Sequence, residues 1–348
     1  MPDSLPPARA PVLDDAFARL SARGTRFLGT RAPILGGAMS WVSERHLVSA
    51  ISNAGGLGVI AAGSMTPALL SAEIRATQAR TDAPFGVNLI TFHPDIDALV
   101  NVCLDHGVGH VVLAGGMPGT ALLRHVRMGA RAICFASALP IARRLVRMGA
   151  DALMIEGSEA GGHIGPVSLA VLAQEILPEI HDVPVFVAGG IGRGEAMVAF
   201  MQMGAAGAQL GTRFAAATES IAHPRFKKAF IDARARDAMP SIQLDPAFPV
   251  IPVRGLVNRG TAHFLAHQAS MAAAVRAGAM TREAAKLAIE HFWAGGLRRA
   301  VIDGDVDEGS VMAGQSVGMV TREQPAAEII AELMEQARTA LRRSRPIV

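Results

Sequence analysis

The sequence predicts an α/β protein folded as a (β/α)8 TIM barrel with a small helical appendage. Short apolar runs recur along the chain, amphipathic segments of helical length separate them, and glycines mark most of their ends. Strands that are buried on both faces form continuous apolar runs of this kind, as in a parallel sheet covered by helices. Eight such units favour a closed barrel, although periodicity alone also allows a doubly wound open sheet.

The predicted strands all precede residue 215, and the β/α repeat stops after about residue 222. Each strand is followed by a turn and then by an amphipathic stretch such as residues 143–148. The eight strands are predicted at residues 32–38, 57–63, 85–90, 110–116, 130–136, 152–157, 183–190 and 207–214.

The remaining chain predicts the appendage and the last helix. Residues 240–260 are rich in Pro and predict a loop, whereas residues 261–298 are rich in Ala and Met and predict helix. A final amphipathic helix is predicted from about 322 to 343, with Glu323 in its first turn. We therefore expect two parts: a barrel formed by residues 1–222 and 305–348, and a lid formed by residues 223–304.

Composition excludes several classes of protein. The 348 residues include no Tyr and only 4% aromatic residues, which disfavours the base-stacking platforms of nucleic-acid-binding proteins. Cys103 and Cys134 have no CxxC or Cys/His spacing, so we expect buried thiols and no metal site. Residues 1–7 do not resemble a signal peptide, and no apolar stretch is long enough to span a membrane. A cytoplasmic protein is expected.

Two strand ends carry residues suited to a flat ligand. Gly37 belongs to a glycine pair after the first strand, where a ring can approach the backbone closely. Asn88 ends the third strand and offers both a donor and an acceptor to the edge of a heterocycle. A plain tight turn and a capping Asn are the alternative interpretations.

A glycine-rich segment with one histidine follows the sixth strand. It reads Glu156-Gly-Ser-Glu-Ala-Gly-Gly-His163-Ile-Gly165 and has few side chains with which to build a core. We expect His163 to lie over the barrel mouth, where an imidazole that titrates near neutral pH can transfer protons. A lone histidine is more often structural, so this segment alone leaves both interpretations open.

The last two strands end in glycines that suit a phosphate. Gly190, Gly192, Gly211 and Thr212 supply backbone N–H groups where barrels often bind phosphate. The run does not match G-x-G-x-x-G, because the sixth position counted from Gly190 is Glu195. A mononucleotide is therefore favoured over a dinucleotide.

These motifs together resemble the FMN-dependent enoyl-acyl-carrier-protein reductases and the related nitronate monooxygenases, formerly 2-nitropropane dioxygenases. The similarity runs from about Ala32 to the C-terminal helix and is strongest at Glu159–His163. The segment Gly304–Gln315 looks closer to the reductases. Two strand ends depart from the family pattern: Gly36-Gly37-Ala38-Met39 replaces Gln-Gly-Gly-Met, and Gly115–Pro118 replaces Gly-Asn-Pro.

The resemblance implies an FMN-dependent oxidoreductase with His163 as the catalytic residue and NADH or NADPH as reductant. We expect an enoyl thioester as the substrate, with acyl carrier protein as a possible carrier of the acyl chain. The apolar helical appendage is compatible with a homodimer. A nitronate monooxygenase, a quinone reductase and a non-catalytic phosphate-binding protein are the alternatives. The implied cofactor-binding residues are Gly37, Met39, Asn88, Glu156, Gly162, Gly189, Gly190, Gly192, Gln209, Gly211 and Thr212.

Overall fold

The computed structural model describes residues 12–343. Residues 1–7, on which the signal-peptide prediction rests, lie outside the described residues.

Eight parallel strands form the predicted barrel, in the order β1-β9-β8-β6-β5-β4-β3-β2. The ends of this sheet meet where the N–H of Leu57 donates to the carbonyl of Ile34 at 2.9 Å, and the N–H of Gly36 donates to that of Leu57 at 2.9 Å. The strands are β1 (Ile34–Gly36), β2 (Gly58–Ala61), β3 (Phe85–Ile90), β4 (His110–Ala114), β5 (Arg131–Phe135), β6 (Ala152–Glu156), β8 (Val185–Ala188) and β9 (Gly207–Leu210).

Three further strands, β7 (Gly162–His163), β10 (Ala238–Pro240) and β11 (Val253–Leu256), form a small antiparallel sheet in the order β10-β11-β7. The helices are α1 (Val12–Leu28), α2 (Arg45–Asn53), α3 (Pro67–Gln78), α4 (Ile96–Asp105), α5 (Thr120–Val126), α6 (Leu139–Met148), α7 (Leu169–Ile176), α8 (Gly194–Gln202), α9 (Thr212–Ala215), α10 (Pro224–Asp232), α11 (Arg259–Arg276), α12 (Arg282–Val301) and α13 (Ala326–Arg343).

The core is divided by the alternation of side chains along each strand. One large cluster packs between the strands and the surrounding helices and includes Ile34, Val87 and Val187. A second cluster contains the residues next to these in sequence, such as Leu35 and Phe186, which point to the opposite face of the sheet. Side chains therefore fill the barrel from within, and ligands can bind only at its mouth.

Residues 248–293 contribute a hydrophobic cluster of their own. Phe264 of α11 stacks on Trp293 of α12 with 4.0 Å between ring centroids, and Phe248 packs against the same cluster. The helical prediction for residues 261–298 is confirmed. The division of the chain into barrel and lid stays a prediction.

Three predictions about elements are wrong in part. The loop predicted at 240–260 contains β11, because this segment pairs with the strand that carries His163. The eighth strand ends at Leu210 rather than 214, because α9 begins at Thr212. The last helix begins at Ala326, directly after Pro325, so Glu323 is not in its first turn.

The two cysteines are buried, as the sequence predicts. Burial raises the pKa of both Cys103 and Cys134 to about 12, so neither forms a reactive thiolate near neutral pH. Within residues 12–343, no helix is long and apolar enough to cross a membrane.

Candidate active site

A cavity of about 310 Å³ lies at the carboxyl ends of the barrel strands. This is the face of a (β/α)8 barrel on which active sites are built. Of the residues predicted from the sequence, only Gly192 does not line it. The others do: Gly37, Met39, Asn88, Glu156, Gly162, His163, Gly189, Gly190, Gln209, Gly211 and Thr212.

The ends of β1 and β9 approach each other closely at this cavity. The N–H of Gly37 donates to the carbonyl of Leu210 at 2.8 Å, and a Cβ on Gly37 would lie 3.2 Å from Gly211 Cα. Ser43 fixes the following turn, because its hydroxyl donates to Gly37 O at 2.7 Å and accepts from Met39 N at 3.0 Å. The wall formed by these strand ends is therefore rigid bare backbone.

The end of β8 requires glycine for a different reason. Gly189 and Gly190 have φ values of 91° and 71°, which side-chain-bearing residues rarely adopt. A Cβ on Gly190 would also lie 2.9 Å from the Cβ of Glu159. Gly192 lies behind this turn, where a Cβ would meet the Met319 side chain, and so does not face the cavity.

Arg213 supports the turn after β8, and the sequence analysis did not identify it as a site residue. Its side chain is only 4% exposed. It donates to Gly192 O at 2.9 Å, to Gln324 Oε1 at 3.1 Å and to Glu332 Oε2 at 3.0 Å. The guanidinium thus joins the turn after β8 to helix α13. The one sequence signal was its place directly after Thr212.

His163 lies in a short strand rather than a free loop. His163 is paired with Val253, and Gly162 with Arg254, in the antiparallel ladder between β7 and β11. Arg254 strengthens this junction by donating from Nε to the carbonyl of Ser158 at 2.8 Å. The position of the histidine over the cavity therefore depends on the segment that follows the barrel.

The imidazole of His163 has a carboxylate partner on helix α12. Nε2 of His163 lies 3.1 Å from Oε2 of Glu290, with the two side chains 43% and 38% exposed. This pairing brings together residues far apart in sequence, and no motif around Glu290 announces it. The other ring nitrogen of His163, Nδ1, is not part of the ion pair with Glu290.

Three polar side chains project from strand ends into the cavity. Asn88 Nδ2 donates to Val112 O at 3.3 Å. Within the described chain, the side chains of Glu156 and Gln209 have no hydrogen-bond partner. Glu156 is partly exposed to the cavity but enclosed by protein, and this desolvation raises its pKa to about 8. Glu156 is therefore mostly protonated at neutral pH and can donate a hydrogen bond.

Residues 312–316 form the remaining wall of the cavity. Gly314 N donates to Thr212 Oγ1 at 3.0 Å, and Gln315 N donates to Glu159 O at 2.9 Å. A Cβ on Gly161 would lie 2.5 Å from Gly314 N, so the histidine segment and this wall touch through bare backbone. Met312 and Ser316 of the same segment line the cavity.

The sequence family follows from comparison with known proteins. The family model described as nitronate monooxygenase matches residues 21–99 and 95–336. The chain belongs to the nitronate monooxygenase family. It is accordingly an FMN-dependent oxidoreductase.

Three relatives show the range of this family. The chain is 29% identical to (3aS,4S,5R,7aS)-5-hydroxy-7a-methyl-1-oxo-octahydro-1H-indene-4-carboxyl-CoA dehydrogenase of Mycobacterium tuberculosis, over 95% of this chain and 99% of that protein. It is 34% identical to FabK of Thermotoga maritima, with a TM-score of 0.82 over 94% of this chain and 99% of the other. Nitroalkane oxidase of Streptomyces ansochromogenes is 29% identical, with a TM-score of 0.75 over 92% and 99%.

The residues at the cavity of this family member fit a flavin mononucleotide. The volume of the cavity, about 310 Å³, is within the range of about 300–1,000 Å³ that is typical of small-molecule sites. Bare glycine backbone forms much of its wall, and at Gly211 a Cβ would contact Met39 Sδ at 3.4 Å, closing the space between them. The unpartnered Glu156 and Gln209 offer hydrogen bonds to a polar ring edge.

Proposed function

We propose that this protein transfers hydride between a flavin and the α,β-carbons of an acyl thioester, as an enoyl thioester reductase that uses NADH or NADPH. FMN, when bound, supplies the hydride chemistry in both half-reactions. The proposal is supported by the first relative above, whose name specifies a CoA thioester, and by the similarity to FabK, an enoyl-ACP reductase II.

One observation carries the choice of a thioester. The segment 304–315, which resembles the reductase branch in sequence, continues directly into a wall of the cavity. Met312 contributes its side chain to that wall, and Gly314 is hydrogen-bonded to Thr212. Residues that distinguish one branch of a family are expected to act on substrate choice when they contact the substrate space.

In this proposal the chain holds the cofactor through the ends of β8 and β9. The N–H groups around Gly190, Gly211 and Thr212 bind the phosphate, as backbone donors at such turns commonly do. Asn88, Glu156 and Gln209 bind the polar edge of the ring and the ribityl chain. The glycines keep this wall free of side chains, which lets a flat ring lie against the backbone.

His163 provides the proton that reduction of an enoyl thioester requires at the α-carbon. His163 lines the cavity, and the contact with the Glu290 carboxylate orients its imidazole. Positioning by a carboxylate is a common way to hold a catalytic imidazole in one tautomer. Proton delivery from His163 and hydride delivery to the β-carbon then complete the reduction.

The experiment is an anaerobic two-step reaction of the purified FMN-loaded protein. NADH and NADPH are first added separately while flavin absorbance is followed. Crotonyl-CoA, propyl nitronate and benzoquinone are then offered to the reduced protein in separate syringes. Fast reoxidation by crotonyl-CoA with formation of butyryl-CoA supports the proposal. Absence of reduction by either nucleotide, or reoxidation by benzoquinone alone, contradicts it.

A nitronate monooxygenase is the second candidate, favoured by the family model and by the nitroalkane oxidase relative. The same cavity and the same imidazole suit it, because His163 can bind or deprotonate a nitroalkane. Aerobic turnover of propyl nitronate without any pyridine nucleotide, together with no reaction of crotonyl-CoA, would establish this alternative in place of the reductase.

A further inference from the structure

A second and much smaller cavity, of about 40 Å³, lies beside the main one. Met312 lines both cavities. Its Sδ lies 3.7 Å from where a Cβ on Gly162 would be, so this side chain also borders the strand of His163. Met312, a flexible thioether, is thus a residue that the two cavities share.

Most polar groups around the smaller cavity already have partners. Ser241 Oγ accepts from the N–H of Val253 at 3.0 Å. Asn258 and Thr261 bond each other, with Thr261 Oγ1 3.2 Å from Asn258 Oδ1. Trp293 is different, because its indole Nε1 is buried and has no hydrogen-bond partner among residues 12–343. Trp293 is one of the residues that line this cavity, and it is only 7% exposed.

A second unpartnered group lies close to the tryptophan helix. Ser310 lines the same cavity, and no described residue forms a hydrogen bond with its hydroxyl. Its backbone N–H donates to Gly296 O at 2.9 Å, which holds Ser310 against α12, the helix of Trp293. An indole N–H can only donate and a hydroxyl can also donate, so the two groups suit an oxygen acceptor.

The rest of the lining is apolar and includes Val253, Leu256 and Val311. A buried N–H without an acceptor is unfavourable, and a space of this size holds one carbonyl group or one water molecule. A carbon chain that bears an oxygen matches both parts of this lining. A purely hydrocarbon chain would leave the Trp293 N–H unpaired.

We propose that the smaller cavity binds an oxygen on the acyl part of the thioester, remote from the thioester carbon, through Trp293 Nε1 and Ser310. The preferred substrates are then keto- or hydroxy-acyl thioesters rather than plain fatty enoyl thioesters. This inference rests on the proposed thioester function. It assigns Trp293 and Ser310 to substrate specificity and gives neither a part in the proton or hydride transfer.

The test measures binding, without turnover. The FMN-loaded protein is titrated by calorimetry with hexanoyl-CoA and with its 4-oxo and 5-oxo derivatives, in the absence of pyridine nucleotide. We expect at least one oxo derivative to bind about tenfold more tightly, the effect of one added hydrogen bond to a buried donor. Trp293→Phe removes the donor and keeps a ring, so the preference should fall below about twofold while hexanoyl-CoA binds as before.

Trp41→Phe is the matched control, since Trp41 is exposed and should leave the preference unchanged. Ser310→Ala is the second variant if Trp293→Phe does not fold, and it should weaken oxo-acyl binding alone. Equal affinities of the three thioesters for the wild-type protein overturn the proposal and leave a resident water as the partner of Trp293. A preference that survives both substitutions overturns it as well. Failure of all three thioesters to bind refutes instead the thioester function on which it rests.

Discussion

The raised pKa of Glu156 predicts how stability depends on pH. Burial raises the pKa of this carboxyl from 4.5 to about 8 in the folded protein. Its protonated form is favoured on folding, so the stability it contributes is fully present below 4.5 and is lost as pH rises through 8. Glu156→Gln removes the titration and keeps the shape. The variant should match the wild type below the unfolded pKa of 4.5 and become increasingly more stable than the wild type as the pH rises toward 8.

The magnitude follows from proton linkage. Between about pH 5.5 and about pH 8.5, a shift of this size removes about 3 kcal/mol from the free energy of unfolding. The carboxyl faces a cavity that water can enter, so we expect about half of that, or about 1.5 kcal/mol. The stability advantage of Glu156→Gln over wild type should therefore grow by about 1.5 kcal/mol between about pH 5.5 and about pH 8.5.

Urea unfolding of the FMN-free protein, followed by circular dichroism at the two pH values, gives the required free energies. Glu195→Gln is the control, because hydrogen bonding to Arg193 lowers the pKa of the exposed Glu195. This control should not gain stability in mild alkali. Identical unfolding free energies for wild type and Glu156→Gln at both pH values would refute the inference that this carboxyl is desolvated.

Three further predictions concern the site and its supports. His163→Ala should lower kcat/KM with the physiological acceptor about 100-fold and Glu290→Gln about tenfold, both with FMN retained; a loss under threefold for His163→Ala in stopped-flow reoxidation rejects its role as acid. Arg213→Met should lower the free energy of unfolding by about 3 kcal/mol in urea titrations, whereas Arg193→Met, at an exposed position, should leave the free energy of unfolding unchanged. Equal effects of the two substitutions would contradict the support inferred for Arg213. Gly190→Ala should lower the free energy of unfolding by about 2 kcal/mol, because Gly190 has a positive φ and the added Cβ would lie close to Glu159. An unchanged urea midpoint would show that the turn relaxes to accommodate the substitution.

The barrel could be predicted because its signals are local. Buried parallel strands need continuous apolar runs, and the turn after β8 needs glycine at positions 189 and 190. Many of the cavity-lining residues could therefore be identified from the sequence at the predicted strand ends. The start of α13 was predicted about four residues too early, although Pro325 is a residue type that commonly marks the beginning of a helix.

The features that could not be predicted depend on contacts between distant segments. Strand β7 has two residues, and it pairs with β11, a strand about 90 residues later in the chain. Glu290 of helix α12 pairs with His163, and Arg213 pairs with Glu332 of helix α13. Pairings of this kind carry no periodicity, so neither strand-length nor helix-length patterns reveal them.

The same distinction bears on how one family hosts different reactions. The glycine turns that suit FMN belong to the barrel, whereas His163 and its neighbours belong to segments outside the repeat of eight parallel strands. His163 pairs with β11, its partner Glu290 lies on α12, and Met312 lines both cavities. Substitutions in those segments can alter the substrate while the turns after β8 and β9 stay intact. Exchange of residues 304–316 between this chain and a nitronate-oxidising relative should therefore change acceptor preference more than FMN affinity.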